Sequence, residues 1–226
     1  MGSDSLTDSV ATRKVRMGML YAACVGCAPR TQFDANATSR HDAAMSRYRR
    51  SLTKGASYFF TVNSYQRRPL LTQPEVRDAL REAIEMVRVT MPFTIDAWVL
   101  LPDHLHAIWT LPQDDAAFGK RWGIIKSHVS KKCASLIDTQ TARSPSRLKR
   151  REIDFWQRRF WEHQLRDDSD YERHVDYIHF NPVKHGLVNR ASEWEHSTFH
   201  QYVKRELYPR TWSVDPGRIG SDVLDE

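Results

Sequence analysis

After Met45 the hydrophobic pattern changes period repeatedly, and the order of these changes is the feature that most limits the fold. Aromatic and β-branched runs predict strands, whereas apolar residues spaced three or four apart predict helices. In chain order the pattern predicts a strand over Tyr58–Val62, a helix from Pro74 to about Val89, strands over Phe93–Leu101 and His104–Thr110, a helix over Phe118–Ile137, a short strand over Phe160–Leu165 and a helix from Asp170 to about Asn181. The order β-α-β-β-α-β-α indicates an α+β fold, a ferredoxin-like split β-α-β sandwich with an antiparallel sheet and one added helix.

The ends of the predicted helices follow from capping and proline signals. Thr72 and Glu75 flank Gln73 and Pro74 in the pattern of a capping box, which predicts the start of the first helix. Pro182 is expected to stop the last helix. We also expect the helices to lie on one face of the sheet and to leave the other face free for a site.

The two ends of the chain differ from its middle. Residues 1–44 are rich in Ala, Ser, Thr and Asp without a clean period, so we expect a disordered extension. The functional domain is predicted to span residues 45–207 and to contain a mobile loop over Thr139–Arg151. Residues 208–226 include Pro, Gly and Asp and are predicted to form a loose tail.

The composition narrows the cellular setting and the kind of partner. Lys and Arg number 34 against 28 Asp and Glu, which gives a net charge of +6 and favours a polyanionic partner. Three cysteines exclude a four-cysteine zinc site and argue against a disulfide framework. The apolar stretch Met17–Ala28 resembles a signal peptide, but Asp4 and Asp8 precede it, so we expect a cytoplasmic protein without membrane contact.

Two histidines alternate with apolar residues after the hairpin turn at Pro102 and Asp103. Because strand side chains alternate between faces, His104 and His106 are predicted to share a face, opposite Leu105. Two imidazoles on one face form a pair of metal ligands. The alternative is two unrelated polar residues on a solvated strand.

Tyr177 and Asn181 stand four residues apart in the last predicted helix, so they share a helix face. A phenol beside an amide oxygen combines a nucleophile with a third metal ligand. The alternative is that Tyr177 is a core aromatic residue and Asn181 a helix C-cap.

Cations and aromatic rings interleave near residue 150. Cations neutralise phosphates and aromatic faces stack unpaired bases, so the pattern favours nucleic acid over a solvated charge run. The candidate DNA contacts along the chain are Arg49, Arg50, Lys126, Lys131, Arg150, Arg158, Arg159, Trp161 and Lys184.

Together these residues suggest one reaction on a phosphodiester. A divalent metal on His104, His106 and Asn181 would polarise the phosphate oxygens as a Lewis acid. Tyr177 would attack the phosphorus and form a phosphotyrosine. The covalent bond would conserve the energy of the phosphodiester, so the strand could be rejoined elsewhere.

The chain resembles a known family at several motifs. His104-Leu105-His106 is similar to the His-hydrophobe-His motif of HUH single-strand DNA enzymes, and Tyr177–Val188 resembles the tyrosine helix of the REP-associated tyrosine transposases. Further matches are Tyr48-Arg49-Arg50, Tyr58–Val62, Trp98–His104 and Arg159–His163, in the right order between Met45 and Tyr202.

The resemblance implies the HUH endonuclease fold and a set of roles. The metal ligands would be His104, His106 and Asn181, and Tyr177 would be the nucleophile, leaving a 5′-phosphotyrosine and a free 3′-hydroxyl. The metal would be Mg²⁺ or Mn²⁺ and the substrate single-stranded DNA near a hairpin or palindromic repeat. Tyr171 is a rival nucleophile, but Val175 four residues later cannot bind metal. Relatives favour a monomer over a homodimer.

Three other functions stay open at this point. A relaxase or replication initiator would use the same nicking chemistry, although this chain has no room for helicase or primase parts. A catalytically inactive protein could bind DNA repeats only, although His104, His106, Tyr177 and Asn181 are all present. A zinc hydrolase would need a third histidine or glutamate at the usual helical spacing.

Overall fold

The computed structural model describes residues 52–137 and 153–214, and the predicted order of elements is present in them. The elements are β1 (Ser57–Asn63), α1 (Pro74–Thr90), β2 (Thr94–Leu100), β3 (His104–Thr110), α2 (Phe118–Lys132), β4 (Trp161–Gln164), α3 (Asp168–Lys184) and α4 (Phe199–Lys204). Single 3₁₀ turns lie at Tyr65–Arg67, Ala134–Leu136 and Ala191–Glu193. Within the described ranges no helix is both long and apolar enough to cross a membrane.

The four strands form one antiparallel sheet in the order β2-β3-β1-β4. This is the arrangement of a split β-α-β sandwich, so the predicted fold class is confirmed. The central strand β1 places Thr61 opposite both His106 and Trp161, and Phe59 opposite both Ile108 and His163. Residues of three strands therefore meet in rows across one face of the sheet.

The sheet is covered on both faces, which corrects the expectation of a free face. On one side Leu105 and Trp109 pack against α1 and α2. On the other side Phe59 packs against α3 and the segment that follows it. This second layer forms because α3 has an apolar stripe that must leave water, including Val175 and Ile178.

The first helix starts at Pro74 as predicted, but the predicted capping box and the predicted end of the last helix are wrong. No capping box forms at α1, because the N-cap is Gln73 and its side chain makes no capping hydrogen bond. Pro182 does not stop α3, which continues to Lys184. A proline inside the last turn removes only one main-chain donor.

The end of α3 is set by a glycine instead. Gly186 has φ 66, and its N–H donates to the Val183 carbonyl at 2.9 Å, while Leu187 N–H donates to the Pro182 carbonyl at 2.9 Å. This is a Schellman motif, in which glycine takes the left-handed position without strain.

The packed chain extends beyond the predicted boundary at residue 207. Tyr208, Trp212 and Val214 are buried in the second core, and the Tyr208 hydroxyl donates to Asp176 Oδ1 at 2.6 Å. The segment up to Val214 is therefore part of the domain and not a loose tail. The predicted extension over residues 1–44 and the predicted loop over Thr139–Arg151 lie outside the described residues.

We expect Trp212→Ala to lower the free energy of unfolding by about 3 kcal/mol, because it empties a buried site that holds a large ring. The Trp212 ring packs 4.6 Å from Tyr208 and 5.5 Å from Phe199 between centroids. Denaturant unfolding measures the change, with Thr211→Ala at an exposed neighbour as the control. Equal stability of the two variants would show that this segment does not support the core.

Candidate functional site

The two histidines of β3 lie on the sheet face that α3 covers. Leu105 between them packs in the opposite core. The ring centroids of His104 and His106 are 4.9 Å apart and the rings are nearly perpendicular. Both side chains are buried, at 3% and 1% exposure. The structure thus places the pair together, on the strand and face that period-two alternation predicts.

His104 is oriented by a carboxylate that sequence analysis did not select. His104 Nδ1 lies 2.6 Å from Asp103 Oδ1, and Asp103 Oδ2 accepts from Arg67 Nε at 2.9 Å. Burial would raise the pKa of Asp103, but the hydrogen bond to His104 and the charges of His104 and Arg67 lower it on balance. The bond occupies Nδ1, so the ligand atom His104 can offer is Nε2.

Arg67 reaches Asp103 from an unusual backbone. Gln66 and Arg67 both have left-handed φ angles, 55 and 54, in the turn after β1. This backbone conformation costs free energy in a non-glycine residue, so it persists only where surrounding contacts fix it. Arg67 is fixed by its ion pair to Asp103 and by a 2.5 Å hydrogen bond to Asn63 Oδ1. Neither periodicity nor a local motif signals this contact.

His106 is held from its other side. Its Nδ1 hydrogen-bonds the Thr61 hydroxyl at 2.9 Å, while its Nε2 is buried and has no hydrogen-bond partner. Burial, with the positive charge of His104, lowers the pKa of His106 well below its usual value. A neutral imidazole with an unpaired ring nitrogen is the form that binds metal.

Tyr177 packs directly against this pair. Its ring centroid lies 5.1 Å from that of His106 and 5.9 Å from that of Phe59, and the side chain is 1% exposed. Lys184 Nζ lies 3.5 Å from the Tyr177 hydroxyl and 4.9 Å from the ring centroid. Tyr177 is therefore a core aromatic residue that also carries its hydroxyl beside a cation.

Asn181 lies at the end of α3, between two residues that contact the histidine pair. Tyr177, Asn181 and His185 follow one another at four-residue steps and so share a face at the end of α3. Tyr177 contacts His106, and the His185 ring lies 5.0 Å from His104. The C-cap of the helix is His185, so the alternative role of Asn181 as C-cap is wrong.

The donor set fits a divalent cation. The amide oxygen and nitrogen of Asn181 and Nε2 of His106 are buried without hydrogen-bond partners. Leaving such an atom unpaired costs about 1–3 kcal/mol each, so natural structures seldom tolerate it without a ligand. A cation shared by imidazole nitrogens and the Asn181 oxygen would satisfy His106 Nε2 and that oxygen, and imidazole and amide ligands suit several divalent metals.

A second cluster of potential ligands joins β4 to the start of α3. His163, Asp170 and His174 bring their ligand atoms within 4.8 Å of one another. His174 Nδ1 lies 2.8 Å from the Asp170 main-chain oxygen, which can only accept, so this nitrogen carries a proton. His163 Nε2 lies 2.9 Å from Asp170 Oδ2. Hydrogen bonds thus hold Asp170 and one nitrogen of each histidine, while His174 Nε2 is buried without a hydrogen-bond partner.

The candidate DNA contacts occupy different parts of the fold. Arg158 and Arg159 are exposed just before β4, and Trp161 is 37% exposed on that edge strand. Lys126 donates to the main-chain oxygens of Gln157, at 2.5 Å, and Arg158, at 3.3 Å, and so anchors this segment. Lys131 is exposed on the far helix layer and Lys184 lies beside Tyr177, whereas Arg49, Arg50 and Arg150 lie outside the described residues.

The chain is similar to known proteins over most of its described length. It is 46% identical over 171 residues to the REP-associated tyrosine transposase of Escherichia coli (strain K12), covering 76% of this chain and 93% of that protein. A relative from Haemophilus influenzae described with the same family name is 40% identical over 187 residues, which cover 79% and 100% of the two chains. No protein-family model matches the chain.

A solved structure shows the same fold with DNA. The structure of a REP-associated tyrosine transposase bound to a REP hairpin matches with a TM-score of 0.65 and 45% identity. The match covers 76% of this chain and 93% of the other.

We expect the His106 ring to stay neutral as the pH falls through 6.5, its ordinary value, because burial lowers its pKa well below that value. Nitrogen NMR of labelled histidine follows the ring, with His106→Gln to assign its signal. A titration midpoint near 6.5, the ordinary value, would contradict the buried and unpaired state.

Proposed function

Because this chain belongs to the REP-associated tyrosine transposases, we propose that it cuts and rejoins single-stranded DNA through a covalent bond to Tyr177. The observation that supports this most directly is the contact of the Tyr177 ring with His106, 5.1 Å between centroids. The Tyr177 ring thus lies against the imidazole pair, with Asn181 one helical turn away, as the proposed role of nucleophile requires. Without that contact, the same residues would form a core and not a reaction site.

The proposed metal ligands are His104, His106 and Asn181, and the proposed metal is Mg²⁺ or Mn²⁺. Bound there, the cation would supply Lewis-acid polarisation of a phosphodiester. The protein prepares this site in two ways. Asp103 orients the His104 ring through its hydrogen bond, and Thr61 orients the His106 ring through another.

Tyr177 carries the proposed chemical step. Its oxygen attacks the phosphorus, a phosphotyrosine forms at the new 5′ end of the downstream fragment, and the 3′ oxygen of the upstream fragment leaves as a hydroxyl. A later attack by a 3′-hydroxyl on the phosphotyrosine rejoins the strand and frees Tyr177. The bond energy is retained throughout, which separates strand transfer from hydrolysis.

Lys184 is placed to assist this step. Its ammonium lies 3.5 Å from the hydroxyl of Tyr177, where negative charge develops as the phenol loses its proton. A positive charge at that point stabilises the ionised nucleophile and the phosphate that approaches it. Lys184 thus has a proposed role at the reacting oxygen as well as the role of DNA contact.

The proposed substrate is single-stranded DNA that contains a hairpin or palindromic repeat. The related structure holds a REP hairpin, and this chain presents exposed Arg158 and Arg159 just before the edge strand β4. Cations of this kind contact phosphates and carry no sequence code by themselves. We further propose a cytoplasmic protein that acts as a monomer, since Tyr177 meets His106 within one chain.

We expect the full chain to form a covalent protein–DNA band on denaturing gels with hairpin-bearing single-stranded DNA and Mn²⁺ or Mg²⁺. Tyr177→Phe should abolish the band because it removes the nucleophilic oxygen. Tyr171→Phe on the same helix should keep it, and a chelator should prevent it. A salt-sensitive shift without any covalent band would favour a protein that only binds repeats, and cut DNA without attachment would indicate a hydrolase.

We expect Lys184→Met to slow covalent attachment by roughly 10- to 100-fold at saturating DNA, because it removes a charge beside the reacting oxygen. The deficit should shrink as the pH approaches about 10, where a free phenol ionises unaided. Single-turnover rates measure this, with Lys131→Met on the far helix layer as a control of equal charge change. If the attachment rate of Lys184→Met recovers fully at higher DNA concentration, then Lys184 contributes only to DNA binding.

A further inference from the structure

Three nearly parallel rings form a stack at the edge of the sheet. The Trp161 and His163 rings are 5.8 Å apart at 9°, and the His163 and His174 rings are 4.8 Å apart at 15°. The stack begins at exposed Trp161 and ends at buried His174. An exposed indole that lies flat on a supported ring offers its other face to a planar ligand.

Hydrogen bonds hold the inner part of this stack rigid. The Asp170 carboxylate accepts from His163 Nε2 at 2.9 Å and from the Arg166 N–H at 3.1 Å, and it lies 3.2 Å from His174 Nδ1. Asp170 itself is fixed by its N–H, which donates to the helix cap Asp167 at 2.8 Å. A platform fixed in this way loses little conformational freedom when a ligand binds.

The stack lies on the same sheet face as the proposed reaction site. Thr61 pairs with Trp161 on one side and with His106 on the other, and its hydroxyl bonds the His106 ring. Adjacent strands are about 4.8 Å apart, so Trp161 stands about 10 Å from His106 across the sheet. Phe59 also contacts Trp161, with 5.7 Å between ring centroids.

We propose that Trp161 is the stacking surface for an unpaired base of the substrate strand, close to the phosphodiester that Tyr177 attacks. This rests on the proposed function and adds a base-binding subsite to it. Arg158 and Arg159 stand three and two residues before Trp161 and are exposed, so they favour a polyanionic strand over an uncharged partner. Stacking on an indole accepts any base, so this subsite fixes the position of the strand without reading its sequence.

The test uses Tyr177→Phe protein, which cannot cleave, and a hairpin oligonucleotide with single-stranded tails. The unmodified chain first maps the cleavage position, and 2-aminopurine is then placed at successive positions around it. One or two neighbouring positions should lose fluorescence on binding. Adding Trp161→Ala should remove this quenching and weaken binding about tenfold, whereas Trp161→Phe should retain most of both.

An abasic nucleotide gives the decisive comparison. At the stacked position it should weaken binding by the protein with Trp161 and leave binding by the Trp161→Ala protein unchanged, because no base remains to stack. Val89→Ala, at an exposed apolar residue of the outer helix α1, is the matched control and should change nothing. Circular dichroism confirms that each variant is folded.

The inference and the proposed function fail in different ways. Equal affinity and equal quenching with and without Trp161 would overturn the subsite even where Tyr177 forms its covalent bond. Absence of the covalent bond with the unmodified chain would overturn the proposed function. His163→Ala should reduce quenching less than Trp161→Ala, and a larger effect would show that His163, not Trp161, receives the base.

Discussion

The packing of α3 against the sheet is the interaction on which the rest of the structure depends. Phe59 in the central strand contacts His106, Tyr177 and His174 at once, with centroid distances of 5.4, 5.9 and 4.8 Å. One buried ring therefore sets the spacing between the histidine strand and the tyrosine helix. Close packing leaves little freedom in such a contact, so the hydrophobic core of this face also aligns the reactive groups.

The segment after α3 fixes the helix from outside. The Tyr208 hydroxyl donates to Asp176, so it accepts from His179 Nδ1. His179 Nε2 lies 2.9 Å from the Thr198 hydroxyl, which also lies 3.2 Å from the Trp98 carbonyl. Burial, followed by the charge of His200, lowers the pKa of His179 to about 3, which agrees with a neutral ring. The Thr198 hydroxyl also accepts from the main-chain N–H of Trp98 in β2. This series of hydrogen bonds therefore connects α3, the segment after it and the sheet.

The sequence correctly predicted the features that depend on the spacing of residues within a single strand or helix. Alternation placed His104 and His106 on one face, and four-residue spacing placed Tyr177 and Asn181 on one face. It failed where the outcome depends on distant partners. Pro182 lies inside α3 because a glycine four residues later ends the helix, and Trp212 is buried because the second core needs its ring.

The contacts that orient the histidines had no local signal. The ion pair of Arg67 with Asp103 joins the turn after β1 to the β2–β3 hairpin, and the Asp170 cluster joins β4 to α3. Both are formed by side chains brought together by the sheet order, which no single stretch of sequence encodes. The spacing in the sequence predicted which residues of the candidate site share a face, and the tertiary fold determines which side chains hold them.

The burial of the site restricts how DNA can reach it. Tyr177, His106 and Asn181 are almost fully enclosed, while Lys184 and His185 at the end of α3 are exposed. Under the proposed function, a phosphodiester would therefore approach the Tyr177 hydroxyl from the C-terminal end of α3, where the Lys184 side chain covers it at 3.5 Å. The lysine would then exchange its contact with the phenol for one with the phosphate as the strand enters. In that arrangement a single cation shields the nucleophile before the substrate arrives and neutralises charge once it is bound.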